Sequence, residues 1–352
     1  MSDGRTLSRG AGTATISDVA ALAAVSIKTV SRVLNDEPNV RPEKRERVLA
    51  AVEELSYRPS STARGLAAGR SYLIGLFYQN PNVYYITGLL HGALTRGSRL
   101  GYHLVVEECE AGNADSEARV TTLARQARLD GVILTPPISD CGAILSGLET
   151  AGVPVVRIAP WSDPGRTPHV WMDDRSAAAG LTRHLIGQGH RRIAFIQGPP
   201  DHGASHWRFG GFSEAMAEAG IPIDPALVQP GDFTYACAIG SAEALLSREA
   251  PPTAVFACND EMAAAVIAVA HRRGVRVPGE LSVVGFDDTP MASRIWPQLT
   301  TVTQPIAEMA ASAVDLLVEQ CARSPMAAPA SLRLDFRMVI RDSTSEGPSC
   351  HR

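Results

Sequence analysis

The 352-residue sequence predicts an all-α three-helix helix-turn-helix head plus hinge, followed by an α/β core of two doubly wound parallel-sheet lobes. Three observations carry this. From Tyr72 onward, short aliphatic runs such as LIGLF, GVIL, RIAFI and AVFA alternate with alanine-rich amphipathic stretches, the pattern of parallel strands with helices on both faces. Residues 15–55 hold no such runs, and instead contain three short segments with apolar residues at helical spacing. Charge divides the chain at the same place: residues 1–70 carry eleven Lys/Arg against eight Asp/Glu, a net of +3, whereas the remainder carries a net of −7.

Residues 1–14 are Gly/Ser/Thr-rich and read as a disordered lead. A first helix is expected over about Ile16–Ala24. Thr15, followed three residues later by Asp18, makes an acidic variant of the capping box, and Ile16, Val19, Ala20 and Ala23 share one face. Ser26 caps a second helix, about Ile27–Leu34, in which Val30 and Leu34 point inward. The third begins at Pro42, a favoured first helical position, and runs to about Leu55 with Val48, Leu49, Val52 and Leu55 facing the core. Two short helices joined by a tight turn, with a third across them, form a helix-turn-helix layout. It leaves Lys28, Thr29, Ser31 and Arg32 outward, near the helix start that such motifs place at base edges. Lys and Arg donate to guanine or phosphate, and Ser and Thr bond phosphate oxygens, so double-stranded DNA is the expected partner. The next segment, YRPSSTARGLAAGRS (57–71), is small and basic with two glycines; it reads as a linker or as a hinge that orders on binding.

In the core, one sheet is expected before roughly residue 172 and a second after it. Ligands of open parallel sheets bind outside the carboxyl ends of the strands, so two facing sheets imply a cleft between them. The expected division is 1–14 lead, 15–59 head, 60–71 hinge, 72–172 plus 303–325 first lobe, 173–302 plus 326–342 second lobe, and 343–352 tail. The tail has no heptad pattern, so no further oligomerising helix is expected. Six cysteines have no metal-ligand spacing and read as small buried hydrophobes. His202 and His206 stand four apart, but among Gly and Pro and with no third ligand nearby, so neither metal nor cofactor is expected. No phosphate-binding loop, dinucleotide fingerprint or nucleophile elbow occurs, which argues against an enzyme. Neither an export signal nor an apolar run of spanning length is present, so a cytoplasmic location is expected.

The stretch TISDVAALAAVSIKTVSRVLNDEPNVRPEKRERVLAAVEELSYRPSSTARGLAAGRS resembles the LacI family of bacterial transcription regulators. The resemblance continues through LIGLF, GHRRIAFIQGP, RFGGF, ACNDEMA and VVGFDDTP…PQLTTVTQP, and covers residues 15 to about 342. It implies a DNA-binding head, a hinge and a periplasmic-binding-protein-like core. By that resemblance Ser26, Ile27, Lys28, Thr29, Ser31, Arg32 and Asn35 face DNA, with Ile27 and Lys28 at the two positions that set operator choice. Tyr57 touches DNA, and Ala63 and Leu66 belong to a hinge helix whose Leu66 wedges into a minor-groove step. Two residues depart from the family's hinge pattern: Ser60 replaces the asparagine common at the hinge start, and Gly65 weakens that helix.

In the core the resemblance makes Arg208 the ligand-gripping arginine and Asn259 and Asp287 the main hydrogen-bonding residues. Phe233 stacks on the ligand, Gln304 sits at a crossover near the pocket, and Tyr85 and Ile86 cover the ligand from the first sheet. In that region NPNVYY, residues 80–85, departs from the usual NPFF. Trp207 and Trp296 read as packing residues. A carboxylate, an amide, a guanidinium and a ring together suit a polyol. The expected function is a dimeric repressor of carbohydrate-utilisation genes that binds a palindromic operator and is controlled by a small sugar-like effector. The alternatives are a purine- or nucleoside-responsive corepressor-type regulator and a small-molecule binding protein.

Overall fold

The computed structural model describes residues 14–34, 40–57, 70–322 and 329–347. The lead over 1–13, Asn35, and the hinge positions Ser60, Ala63, Gly65 and Leu66 lie outside the described residues.

The head consists of α1 (Ile16–Leu22), α2 (Ile27–Leu34) and α3 (Pro42–Glu54). The capping box forms at α1: Thr15 N donates to Asp18 Oδ2 at 2.9 Å, and Asp18 N donates to Thr15 Oγ1 at 3.4 Å. Ser26 Oγ accepts from Thr29 N at 3.2 Å, which satisfies a free amide at the start of α2. Between these helices the chain turns at Ala24, with φ 49°, and Val25 N returns to Ala20 O at 3.0 Å. Arg47 of α3 reaches over this turn and donates to the carbonyl oxygens of Ala23 and Ala24, the latter at 2.8 Å. Val19, Val30 and Val48 meet beneath it at 0% exposure, with Val33, Ala51 and Tyr57 around them. Two expectations change. The inward pair on α2 is Val30 and Val33, with Leu34 half-buried, and α3 turns Ala51 inward while Leu49 is 50% exposed. The core of so small a head is one valine-wide stripe per helix, so residues at its margins stay in solvent.

The core begins at β1 (Leu73–Tyr78), followed by α4 (Val83–Arg99), β2 (His103–Glu108), α5 (Ala114–Gln126), β3 (Gly131–Leu134), α6 (Gly142–Thr150), β4 (Val155–Ile158) and β5 (His169–Met172). The chain then crosses to the second lobe through α7 (Asp174–Gly187), β6 (Ile193–Ile196), α8 (Gly203–Glu218), β7 (Val228–Gln229), α9 (Tyr235–Leu246), β8 (Ala254–Ala257), α10 (Asp260–Arg272), β9 (Ser282–Val284), α11 (Pro290–Arg294) and β10 (Thr301–Thr303). Finally α12 (Ile306–Ala322), β11 (Ser331–Leu334) and β12 (Arg337–Val339) complete it.

The first sheet is parallel in the order β11-β5-β4-β3-β1-β2, and the second is parallel in the order β7-β6-β8-β9. Each reverses its winding direction beside its first strand, and that reversal opens a crevice at the strands' carboxyl ends. β10 and β12 pair antiparallel where the chain passes between the lobes.

The expected lobe boundaries need correction at the carboxyl end. β11 pairs with β5, Ser331 against His169 through Leu334 against Met172, so it belongs to the first lobe and not the second. Residues 343–347 are no free tail. Ser343 Oγ donates to Val283 O at 2.6 Å and accepts from Thr300 N at 2.8 Å, and Gly347 N donates to Gln188 O at 2.7 Å.

Helices α4 and α12 cover one face of the first sheet in direct contact. They approach so closely at Gly92 that a Cβ there would overlap the carbonyl of Ala307. Gly92→Ala should therefore force the two helices apart and lower stability by about 1–3 kcal/mol, the usual cost of overpacking. Urea unfolding of the variant and parent measures it; an unchanged midpoint would mean that the crossing yields without strain.

Candidate functional site

Head and core carry separate candidate surfaces. On α2, Ser26, Ile27, Lys28 and Arg32 are exposed, and Thr29 and Ser31 are half-buried on the same short helix. Ile27 is 50% exposed at the first turn, an apolar side chain placed beside a lysine instead of in the core. Tyr57 behaves differently from the expectation: at 7% exposure it packs into the head core with Val19, Val30 and Val48.

In the core, the loops and helix starts that follow the strands' carboxyl ends meet in one cleft. Tyr85, Arg208, Phe233, Asn259, Asp287 and Gln304, six of the residues that the resemblance implies for the effector, all line it. Ile86 does not. It is buried in the first lobe's core, because adjacent residues of a helix diverge by about 100° and only Tyr85 faces the cleft. Asp174, His202, Trp171 and Trp207 also line the cleft and were not foreseen as site residues. Trp207 is 40% exposed at the cleft and Trp296 is 76% exposed away from it, so neither is a packing residue. His202 and His206 show no third partner for a metal: no cluster of three or more metal-binding side chains occurs among the described residues.

Arg208 is the centre of the site. It is buried on α8, with Nε donating to Asp174 Oδ1 at 2.8 Å and Nη1 donating to the Cys258 carbonyl at 2.6 Å. Nη2 lies 3.3 Å from Asp287 Oδ1 and 3.5 Å from Gln304 Oε1. The guanidinium stands 3.7 Å above the ring of Phe286, a cation–π contact. Burial opposes its charge, but Asp174 and Asp287 outweigh burial and hold Arg208 protonated.

The carboxylates pay for that in the other direction. Burial pushes Asp287 up to about 7, with Arg208 opposing and Asp174 adding to the rise. Asp260 is pushed up to about 8, first by burial and then by Asp287. It accepts from Thr289 N at 2.7 Å and from Thr301 Oγ1 at 2.6 Å, so it buttresses the turn that carries Asp287. Tyr85 is raised by burial and by the two facing carboxylates, Asp287 and Asp174, so it stays a neutral phenol.

Asn259 is committed to the scaffold as much as to the cleft. Its Oδ1 accepts from Met262 N at 2.9 Å as the cap of α10, and its Nδ2 donates to Phe233 O at 2.9 Å. That second bond holds Phe233 at φ 69°, with its ring laid over Gly198 and edge-on to His202.

His202 caps α8: its Nδ1 accepts from Ala204 N at 3.3 Å. Burial, then Arg208, pushes its pKa down to about 3, so the ring is neutral near pH 7. With Nδ1 an acceptor, the proton sits on Nε2, and Nε2 is buried without a hydrogen-bond partner. Asp287 Oδ1 is the matching case on the acceptor side. Its one close partner is the Arg208 guanidinium, an ion pair at 3.3 Å, which leaves that buried oxygen with acceptor capacity to spare.

Arg208 is therefore a structural charge, and Arg208→Ala strands two buried carboxylates. Removing one partner of a buried pair costs about 3–5 kcal/mol. The loss of the cation raises both carboxyl pKa values further above their unfolded values. Their contribution to stability is then present at low pH and lost as pH rises through and beyond 7. The variant's deficit should be larger near pH 8 than near pH 5.5, as read by urea unfolding. Equal deficits would show that the carboxylates are not the stranded groups.

Residues 15–60 match the bacterial regulatory proteins of the lacI family, and residues 182–344 match the periplasmic binding protein-like domain. The chain is 33% identical to catabolite control protein A of Priestia megaterium over 332 residues, 94% of this chain and 99% of that protein. It is similar to the solved transcriptional regulator CelR–cellobiose complex, with a TM-score of 0.72 and 32% identity over 94% of this chain and 99% of that one. It is also similar to the lac repressor dimer bound to operator and the anti-inducer ONPF, with a TM-score of 0.80 and 27% identity over 95% of this chain and all of that one. No helix among the described residues is long and apolar enough to cross a membrane. With the head, the cleft and these similarities agreeing over nearly the whole length, the chain belongs to the lacI family of bacterial DNA-binding transcription regulators.

Proposed function

We propose that this protein is a homodimeric repressor of carbohydrate-utilisation genes, controlled by an uncharged, hydroxyl-rich effector held in the core cleft. The observation that carries the effector class is the pair of unsatisfied buried atoms, Asp287 Oδ1 and His202 Nε2, on residues lining the same cleft. One accepts and the other donates, so a ligand that satisfies both presents a donor and an acceptor. A hydroxyl does either, and neighbouring hydroxyls of a sugar do both. An anionic ligand meets Asp174 and Asp287 as well as Arg208, which disfavours it. The likeness to CelR, solved with cellobiose, supports the same class. The aromatic rings of Trp171, Trp207 and Phe233 also suit a planar base, which keeps a purine or nucleoside as the second reading.

DNA contact is assigned to Ser26, Ile27, Lys28, Thr29, Ser31 and Arg32, and the likeness to an operator-bound dimer supports a two-fold operator. Binding should weaken with salt, with a slope of about 0.9 in log affinity per phosphate neutralised. On DNA selected by the purified dimer, Lys28→Ala should change base preference at one position of each half-site. Uniform weakening across all sequences would reduce Lys28 to a phosphate contact.

For the cleft, calorimetry with a panel of sugars against purines separates the two effector classes. A polyol that donates to ionised Asp287 lowers its pKa on binding. Polyol affinity should therefore fall as pH drops below about 7, by at most about tenfold per unit, because the proton competes for the same oxygen. Asp287→Asn should bind weakly and without this pH dependence. A parent protein with flat affinity between pH 6 and 8 would remove Asp287 from the contact.

A further inference from the structure

The cleft has a second feature that the effector reading does not use. Its lining encloses only about 50 Å³ of free space, against the ~300–1,000 Å³ of pockets that hold small ligands. A ligand must therefore enter a more open arrangement of the lobes. One contact bridges the lobes beside the cleft. Trp161, from the loop after β4 in the first lobe, stacks on His206 of α8 in the second, with ring centroids 4.5 Å apart and planes at 9°.

Both rings are mounted on rigid supports. Asp140 Oδ1 accepts from Trp161 N at 2.9 Å and from Ser162 N at 2.7 Å, which fixes the loop's backbone. Behind it Arg157, at 0% exposure, donates to the Ser162 carbonyl at 2.9 Å, to Thr167 Oγ1 at 2.9 Å and to the Asp163 carbonyl. A buried guanidinium spent on loop carbonyls makes that loop part of the scaffold. On the other side His206 Nε2 donates to the Pro200 carbonyl at 2.7 Å, which orients the imidazole. Gly203 allows the approach, because a Cβ there would lie 2.5 Å from Trp161 Cβ. The two supports belong to different lobes, so the rings stay stacked only while the lobes stay closed.

We propose that the Trp161–His206 stack is a lock across the two lobes, which holds the cleft closed without ligand and must part for an effector to enter or leave. The lock stabilises the closed core whether or not the cleft is filled. It slows entry and exit together and leaves the equilibrium affinity nearly unchanged, because only the open fraction exchanges ligand. A residue that merely touched the effector would change mainly the rate of exit.

The test needs no effector, so its failure is separate from any failure of the sugar reading. Spin labels introduced through unnatural amino acids at Ala118 and Ala217, exposed positions on the two lobes, report the inter-lobe distance in full-length protein by electron–electron double resonance. With doubly labelled chains diluted into an excess of unlabelled protein, so that only distances within one chain are read, the parent should give one narrow distribution. Trp161→Ala and His206→Ala should each raise a longer-distance population at least threefold, and the double variant should add nothing further, since both remove one contact. His206→Phe keeps a stacking ring and should stay near the parent, which guards against a simple folding defect. Single variants indistinguishable from the parent, or a double variant that opens further than either, would overturn the lock.

Discussion

A guanidinium buried where two parallel sheets present their carboxyl ends is the constraint around which the core is arranged. Arg208 keeps its charge at 4% exposure only because four separate segments converge on it. Asp174 comes from the start of α7, the Cys258 carbonyl from the end of β8, Asp287 from the turn after β9, and Gln304 from the crossover before α12. Each charge taken out of water carries a desolvation cost of several kcal/mol, which is offset only when the geometry of every partner is good. The strand ends are therefore held to fixed positions by electrostatics as well as by sheet pairing. Asp287 shows the strain this imposes. It adopts φ 108°, which non-glycine residues rarely occupy, and is kept there by its N–H bond to Val302 O at 2.9 Å. Asp260 and its threonine partners brace the same turn from behind.

Much of this was legible in the sequence, and the exceptions have physical reasons. The strands that are buried on both faces announce themselves as aliphatic runs, so both sheets were visible. β11 was misplaced because SLRL is a mostly exposed edge strand, and an edge needs no continuous apolar run. In the head, helical spacing gave three amphipathic segments, but spacing alone does not say how wide the buried stripe is. That is why Leu49 and Val33 exchanged roles with their neighbours. Of the seven core residues that the resemblance implies, six line the cleft, and Ile86 turns into the lobe core through helical geometry.

The residues that were missed share a different cause. Asp174 follows Asp173, and a pair of aspartates before a helix reads as a cap; only Asp173 caps, through Ser176 N at 2.9 Å, while Asp174 turns inward to Arg208. By spacing alone His202 is only one of two histidines four apart. Its role depends on α8 starting at Gly203, and that start makes His202 a cap with a fixed tautomer. Neither fact is contained in local spacing, because both depend on which side chain the tertiary fold leaves room for.

Head and core handle polar groups in opposite ways, and the difference follows from what each meets. A DNA duplex is a long line of charge that attracts cations through solvent and releases counterions on contact, and the lysine and arginine of α2 stand exposed, as the proposed DNA contact needs. A small uncharged ligand exerts no such pull. It is distinguished only by dipoles that are fixed, desolvated and short of a partner until it arrives, and such groups are strong because water is excluded from them. Under the proposed function the cleft supplies them as a neutral histidine donor and a carboxylate pushed up to about 7. The buried atoms left unsatisfied by the protein are costly to the empty core, and the same cost favours any ligand whose hydroxyls satisfy both.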